Sequence, residues 1–450
     1  MDAGTGIGGF SKNREELVET KFDLFSKVPL ETGVKKTIPQ TFRPISSSSS
    51  QGPYSFVIPS DPEKLTHLGS LRLHGRMCIK KKDSNGLLTN LSTENISTVN
   101  NIFNSLWSSI NTKLNGTEIS DPTSTWYAYK AYLENLMSYS TASKENILSF
   151  KGYFKDTADE FDNVSADTKN LGFKNRKQMF EKSKWVYFCI NLHIDITTLQ
   201  RFLPPGIKIE IDLQRNSDAF CLLSDDVMED GTIRYKIELD DLRLSLDRIM
   251  PSESVEHFYH ERIKHEQART PIDRSLLKTY TVTKGRSDLS EYNIITGMQL
   301  PEQVFVVIVD EDAHRGVIDK NPFNFKDYNI TQASLVVNGV HEPPDQYKLD
   351  KDSGDIVDLY AQFLENSGVS IDDRDIGIPI HDYYGGSFIL AWDRTQDRCN
   401  RYHRHIMESG SMSINIKTKT PLEKTVTVII YATYTRDLEF DGDKVLTETF

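Results

Sequence analysis

The chain repeats itself at about half its own length. Leu114-Asn115-Gly116 is followed by Tyr129-x-x-Tyr132-Leu133-Glu134-Asn135, and Val337-Asn338-Gly339 by Tyr360-x-x-Phe363-Leu364-Glu365-Asn366. The two Asn-Gly pairs lie 223 residues apart and the two glutamates 231, against a half-length of 225. Self-similarity at such a period points to one fold used twice. Asn-Gly at the end of an apolar run signals a two-residue hairpin, because both residues tolerate positive φ. The repeated unit is therefore read as a β-domain. A duplicated β-domain without a catalytic constellation suits a building block better than an enzyme.

Patterning along the chain supports two such domains. Residues 1–52 read as an arm: a Gly-rich start, a short helical candidate at Asn13-Arg14-Glu15-Glu16-Leu17, and an apolar plug at Phe22-Asp23-Leu24-Phe25. Pro29, Pro39, Pro44 and the serines 46–50 then give linker chemistry. Such a segment orders only by docking on its own body or on a neighbour. Strand signals begin at Tyr54 and continue in the alternation of Leu71-Arg72-Leu73, and in Ile207, Ile209, Ile211 and Leu213 set between Lys208, Glu210 and Asp212. Tyr129, Leu133, Leu136 and Met137 share one face of a predicted helix. Residues 141–182 are polar and mixed, and read as a long loop excursion.

Pro251 to Gln267 is charged and helical. The second half then returns to strands, with Val304-Phe305-Val306-Val307-Ile308-Val309 continuous and Met412, Ile414 and Ile416 alternating. Each half holds seven or eight strand candidates and one inserted helix, whereas the regular strand–helix alternation of a parallel sheet is absent. The predicted fold is all-β: two tandem eight-stranded jelly rolls with short inserted helices and an extended N-terminal arm. The boundaries are arm 1–52, first jelly roll 53–250, connecting helix and linker 251–272, and second jelly roll 273–450.

Charge narrows the function. A formal net charge of −12 argues against a protein that coats nucleic acid, since neutralising phosphates needs an excess of Lys and Arg. Cys78, Cys189, Cys221 and Cys399 form neither a zinc pattern nor a disulfide framework, which leads us to expect a reducing compartment. No secretory leader, myristoylation signal or apolar run of transmembrane length is apparent. The sequons at Asn90, Asn95, Asn115, Asn163 and Asn329 then read as coincidences.

Several motifs invite a chemical reading. Gly4-x-Gly6-x-x-Gly9 spells a dinucleotide fingerprint, but no strand precedes it, so it reads as flexible arm. His260 and His265 are five apart and occupy different helix faces, while His257 and His260, one turn apart, lack an evident third ligand. Cys399, His403 and His405 cluster among arginines with no orienting group to complete a nucleophile. Asp310-Glu311-Asp312 and Asp372-Asp373-Arg374-Asp375 miss calcium-loop spacing and read as solvated loop ends. Tyr127, Tyr129 and Tyr132 could stack bases or sugars, but the matching Tyr360 and Phe363 favour a packing role. No catalytic, cofactor-binding or metal residue is nominated, and no cofactor is expected.

The order of features resembles the double jelly-roll major capsid proteins of the Polinton (Maverick) and adintovirus group of double-stranded DNA elements. The carrying residues are Phe22-Asp23-Leu24-Phe25, Pro29, Phe42-Arg43-Pro44-Ile45, Tyr54-Ser55-Phe56, Leu65 and the strand from Leu71. The repeated Asn-Gly and Tyr motifs continue the order, joined by Leu300-Pro301-x-x-Val304, Gly316 and Asn321-Pro322-Phe323-Asn324-Phe325. Lys27 and Val28 interrupt the pattern, and residues 141–182 have no counterpart in it.

The resemblance implies a hexon-like capsomer without catalytic activity, in which three chains form a pseudo-hexagonal trimer that tiles an icosahedral shell. The arm would clamp neighbouring subunits or the inner face of the capsid. Implied partners are the chain itself, as homotrimer and lattice, and the penton and minor capsid proteins. No sequence-specific nucleic-acid contact is implied, and a membrane partner stays open. The implied location is the virion, with synthesis in the host cytoplasm; assembly in the nucleus stays open. Two other readings remain: a cellular β-sandwich carbohydrate-binding or scaffold protein, and an enzyme on a double sandwich, which would need two carboxylates facing across a cleft.

Overall fold

Alternating side chains build most of the strands. In β9 (Ile209–Arg215) the residues Ile209, Ile211 and Leu213 are buried and the residues between them are not. The computed structural model describes residues 31–45, 52–83, 85–120, 126–226, 233–348, 356–368, 375–396, 405–441 and 444–449. The first half contains β1 (Val34–Phe42), β2 (Tyr54–Ile58), β3 (Leu65–Lys82), β4 (Leu88–Asn90), β5 (Ile96–Thr98), β6 (Trp107–Leu114), β7 (Thr117–Glu118), β8 (Val186–Asn191), β9, β10 (Leu222–Ser224) and β11 (Tyr235–Pro251). Its helices are α1 (Ile102–Ser105), α2 (Tyr127–Ser138), α3 (Thr141–Asn146), α4 (Leu171–Met179) and α5 (Asp218–Cys221). Helix α6 (Glu253–Ile263) follows.

The second half contains β12 (Ala268–Val282), β13 (Glu291–Gln299), β14 (Gln303–Asp310), β15 (Ile330–Val337), β16 (Val340–Lys348), β17 (Leu390–Asp393), β18 (Ser409–Thr418), β19 (Val426–Asp441) and β20 (Lys444–Thr449). Its helices are α7 (Glu311–Arg315), α8 (Ile356–Asn366) and α9 (Ile380–Tyr384).

Strand pairing makes the repeat explicit. One sheet of the first half runs β1-β11-β3, with β4 and β8 both on β3, and the other runs β2-β9-β6-β7. The second half has β12-β19-β14-β17, with β20 also on β19, and β13-β18-β15-β16. Taken in chain order, the eight strands β1, β2, β3, β6, β7, β8, β9 and β11 hold the positions of β12 to β19. All of these ladders are antiparallel. Each half is thus an eight-stranded jelly roll, with β4, β5, β10 and β20 as additions. Among the described residues no strand ladder joins the halves.

The two Asn-Gly sites occupy equivalent turns. Asn115 and Gly116, at φ 48° and 84°, join β6 to β7; Asn338 and Gly339, at φ 50° and 83°, join β15 to β16. Successive positive φ values are those of the hairpin turn whose twist matches its strands. Asn115 also accepts from the Lys208 amide at 2.8 Å, and Asn338 from the Ser411 amide at 2.9 Å, so each turn is stitched to the strand beside it.

Three expectations change. Residues 34–42, assigned to the arm, form β1 and pair with β11 from Val34↔Pro251 to Phe42↔Leu244. Most of its side chains are exposed, so no alternation betrays it. The excursion 141–182 is not plain loop, because it holds α3, α4 and two short 3₁₀ turns. The stretch 251–272 is not all joint, because β12 already begins at Ala268.

A side chain added at Gly116 or Gly339 meets no atom within 4 Å, which isolates the backbone cost. Gly116→Ala and Gly339→Ala are each expected to lower stability by about 1–2 kcal/mol, the penalty of a left-handed L-residue. Denaturant midpoints of the two variants check this, with losses of similar size expected at both turns.

Candidate assembly unit and the seam between its halves

The second sandwich needs cover that its own strands cannot supply. Val304 to Asp310 in β14 are all buried, as are the first seven residues of β19. A sheet buried on both faces reads as a continuous apolar run, whereas β3 and β11 of the first half alternate. The cover comes from the first half. Helix α2 was expected to bury one face, yet nine of its twelve residues are buried, because it lies between the two sandwiches. The buried apolar side chains form one continuous cluster through both halves.

Burying α2 buries Lys130, whose ammonium must then be paired. It meets Asp195, which opens a 3₁₀ turn of the first half. The same carboxylate takes Arg274 of β12 at 3.2 Å and the Ser275 hydroxyl at 2.9 Å. Burial works against the charged Lys130, but Asp195 and Glu134 outweigh it and hold its pKa above the ordinary value. One turn along α2, Glu134 lies 2.6 Å from His193 Nδ1 and accepts from the Tyr431 hydroxyl at 2.8 Å. Burial pushes Glu134 up, but Lys130 and His193 prevail and hold it below its usual value.

Aromatic rings fill the rest of the seam. Tyr132 stacks on Phe323 with centroids 4.1 Å apart and planes 12° from parallel. Tyr129 meets Phe323 edge-on, and its hydroxyl lies 3.2 Å from His314 Nδ1. His314 also packs against Trp126, with ring centroids 4.1 Å apart. Tyr127, Tyr129 and Tyr132 are all buried, so they pack the seam rather than offer a stacking platform.

The excursion 141–182 proves to be a strap across this seam. Arg176, fully buried, donates to Asp156 Oδ1 at 2.6 Å and to the carbonyls of Thr98 and Phe154 at 2.7 Å. Asp156 Oδ2 then accepts from Asn321 of the second half at 3.3 Å. Asp162 accepts from the Asn324 amide group at 2.7 Å and pairs with Lys326 at 3.1 Å. Farther along, Lys144 donates to the Ile376 carbonyl, Lys155 to the Gly377 carbonyl at 2.7 Å, and Thr141 to Asp375. Desolvation lowers the Lys144 pKa to about 7, although its ammonium hydrogens face the Leu136 and Ile376 carbonyls. The motif Asn321-Pro322-Phe323-Asn324-Phe325 is therefore the strap's anchor.

The motifs singled out for chemistry are only partly within the described residues. His257 and His260 are exposed on α6, and His260 lies 3.9 Å from Glu256. His405 lies 3.0 Å from Gln396, while Cys399 and His403 fall outside the described residues. Gly4, Gly6, Gly9, Asp372, Asp373 and Arg374 are also outside them. Asp310 differs from the solvated loop end expected, since it is buried, pairs with Lys326 at 3.0 Å and accepts from Tyr328 at 2.8 Å. Among the described residues, no group of three or more His, Cys, Asp or Glu side chains is placed to hold a metal ion. Nor is any helix among them long and apolar enough to cross a membrane.

No protein-family model matches the chain. Over 325 residues it is 23% identical to an uncharacterized protein of Caenorhabditis elegans, covering 71% of this chain and 74% of that protein. Among solved structures it is similar to a chain of the Sputnik virophage, with a TM-score of 0.61 at 13% identity over 96% of this chain and 92% of that one. The Faustovirus major capsid protein gives 0.60 at 8% identity, over 92% of each chain. The mavirus major capsid protein gives 0.52 at 11% identity, over 98% of this chain and 96% of that one. These likenesses show a shared double jelly-roll fold.

His314 makes the seam sensitive to acid. Desolvation lowers its pKa from 6.5 to about 4, so the unfolded chain takes up the proton first. Stability from the neutral ring is complete above about pH 6.5 and is lost progressively as the pH falls toward 4, a change on the order of 3 kcal/mol. His314→Gln is expected to lose distinctly less stability between pH 7 and pH 4.5 than the natural chain. Urea midpoints at the two pH values check this.

Proposed function

We propose that the protein is a viral major capsid protein, hexon-like, whose chains associate as pseudo-hexagonal trimers that tile an icosahedral shell. The observation that carries this reading is the likeness to capsid proteins across both jelly rolls, over at least 92% of each chain for Faustovirus and mavirus. The internal symmetry supports the trimer. Two matched sandwiches per chain present six similar lobes from three chains, so near-hexagonal tiling needs only threefold symmetry. The locked seam supports it too, because a tile transmits lattice contacts only if its lobes keep a constant spacing. A structural role without catalysis is part of the same proposal. A division into an arm before β1, two jelly rolls and the connecting helix α6 belongs to the same proposal.

The narrower placement in the Polinton and adintovirus group rests on the collinear sequence motifs alone. The nematode relative is consistent with a gene carried in an animal genome. Partners are further copies of the chain, then penton and minor capsid proteins, and the location is the virion. Capsid assembly from many weak contacts responds to salt and pH through charges at the rim of each interface.

Native mass measurement followed by negative-stain imaging tests the proposal. Trimers are expected at micromolar concentration, appearing as pseudo-hexagonal particles with six lobes. A chain that stays monomeric and yields neither trimers nor shells contradicts it.

A further inference from the structure

A surface groove lies where the first sandwich passes into the second. Phe258 and Ile263 of α6 line it together with Leu65, Phe202, Pro204 and Phe440. Its volume is about 420 Å³, within the range of pockets that take a ligand or side chains. Phe258 is 59% exposed and Phe202 is 40% exposed, so two large rings of the groove lining are open to solvent. Adjacent apolar rings left open to water mark an interaction site.

The structure identifies a candidate occupant by where its described chain begins. The Gly33 carbonyl accepts from the Ser252 amide at 2.9 Å, and Lys35 lies 3.9 Å from Glu253. The chain before Glu31 therefore starts beside the first turn of α6. Phe25 is six residues from Glu31, a reach of up to about 20 Å when extended. The eleven residues of α6 rise only about 16 Å, so the whole groove is within range. The segment Phe22-Asp23-Leu24-Phe25, outside the described residues, offers three large apolar side chains and one carboxylate. Charge matches as well. Arg201 lines the groove, and among the described residues no carboxylate lies within ion-pair distance of it, although its guanidinium donates to the Arg269 carbonyl at 2.6 Å.

We infer that Phe22-Asp23-Leu24-Phe25 folds back along α6 and seats its apolar side chains in the groove of its own chain, with Asp23 toward Arg201. The segment then staples the N-terminus to the joint between the jelly rolls. This goes beyond the capsid reading and does not depend on it, since a chain that never assembles can still close the groove.

Hydrogen–deuterium exchange on the full chain tests it, using Phe22→Asp/Phe25→Asp in the segment and Phe258→Glu in the groove. Phe258 is exposed, so its replacement leaves the fold intact. Both variants are expected to speed exchange in α6, and Phe258→Glu also to speed exchange in residues 20–30, by roughly 10-fold or more as local protection is lost. Unchanged exchange in α6 of the segment variant overturns the inference. So does protection that vanishes on dilution to monomer, because the occupant is then a second copy.

Discussion

The molecule depends on one buried carboxylate. Asp195 lies in the first sandwich but is shared between Lys130 of α2 and Arg274 of β12, the first strand of the second sandwich. Two buried cations on one anion still leave charge to balance, and Glu134, 3.8 Å from Lys130, completes the set. Removing one partner of a buried pair typically costs about 3–5 kcal/mol, because the remaining charge is stranded away from water. The shared carboxylate joins α2 of the first half to the first strand of the second.

Around that point the two copies of one fold have taken different parts. The connection from β7 to β8 carries α2 and the strap. The matching connection from β16 to β17 carries α8, which packs against β17, and α9, which packs against α8. The first half thus reaches across, and the second half is covered. Burial follows that division, with β14 and the start of β19 buried on both faces and β3 and β11 half-buried. Apolar residues on both faces of the second sheet go with the cover that the first half gives it.

Local signals in the sequence carried the hairpins, the alternating strands and the inserted helices, because each depends on residues close in the chain. Asn115-Gly116 and Asn338-Gly339 are legible since only residues tolerant of positive φ suit those turns. Long-range relations were not legible. Strand β1 looks like arm in the sequence because Pro39 and its exposed polar residues show no apolar period, and its identity comes from β11, some two hundred residues away. The strap showed no pattern because its partners, Asn321 and Asn324, sit about 160 residues on. Asp310 read as a solvated end for the same reason, with Lys326 and Tyr328 arriving from a later loop. The Tyr motif on α2 announced packing, but only the tertiary structure shows that it packs the other half of the chain.

A seam with a continuous core, shared charges and a strap makes two sandwiches one cooperative body. Scanning calorimetry of the full chain tests this most directly, by comparing the measured unfolding enthalpy with the van't Hoff value. A single transition with the two enthalpies equal is the predicted result. Two resolved transitions, each with the enthalpy of a half-chain, contradict the account, because the jelly rolls would then stand side by side without being locked together.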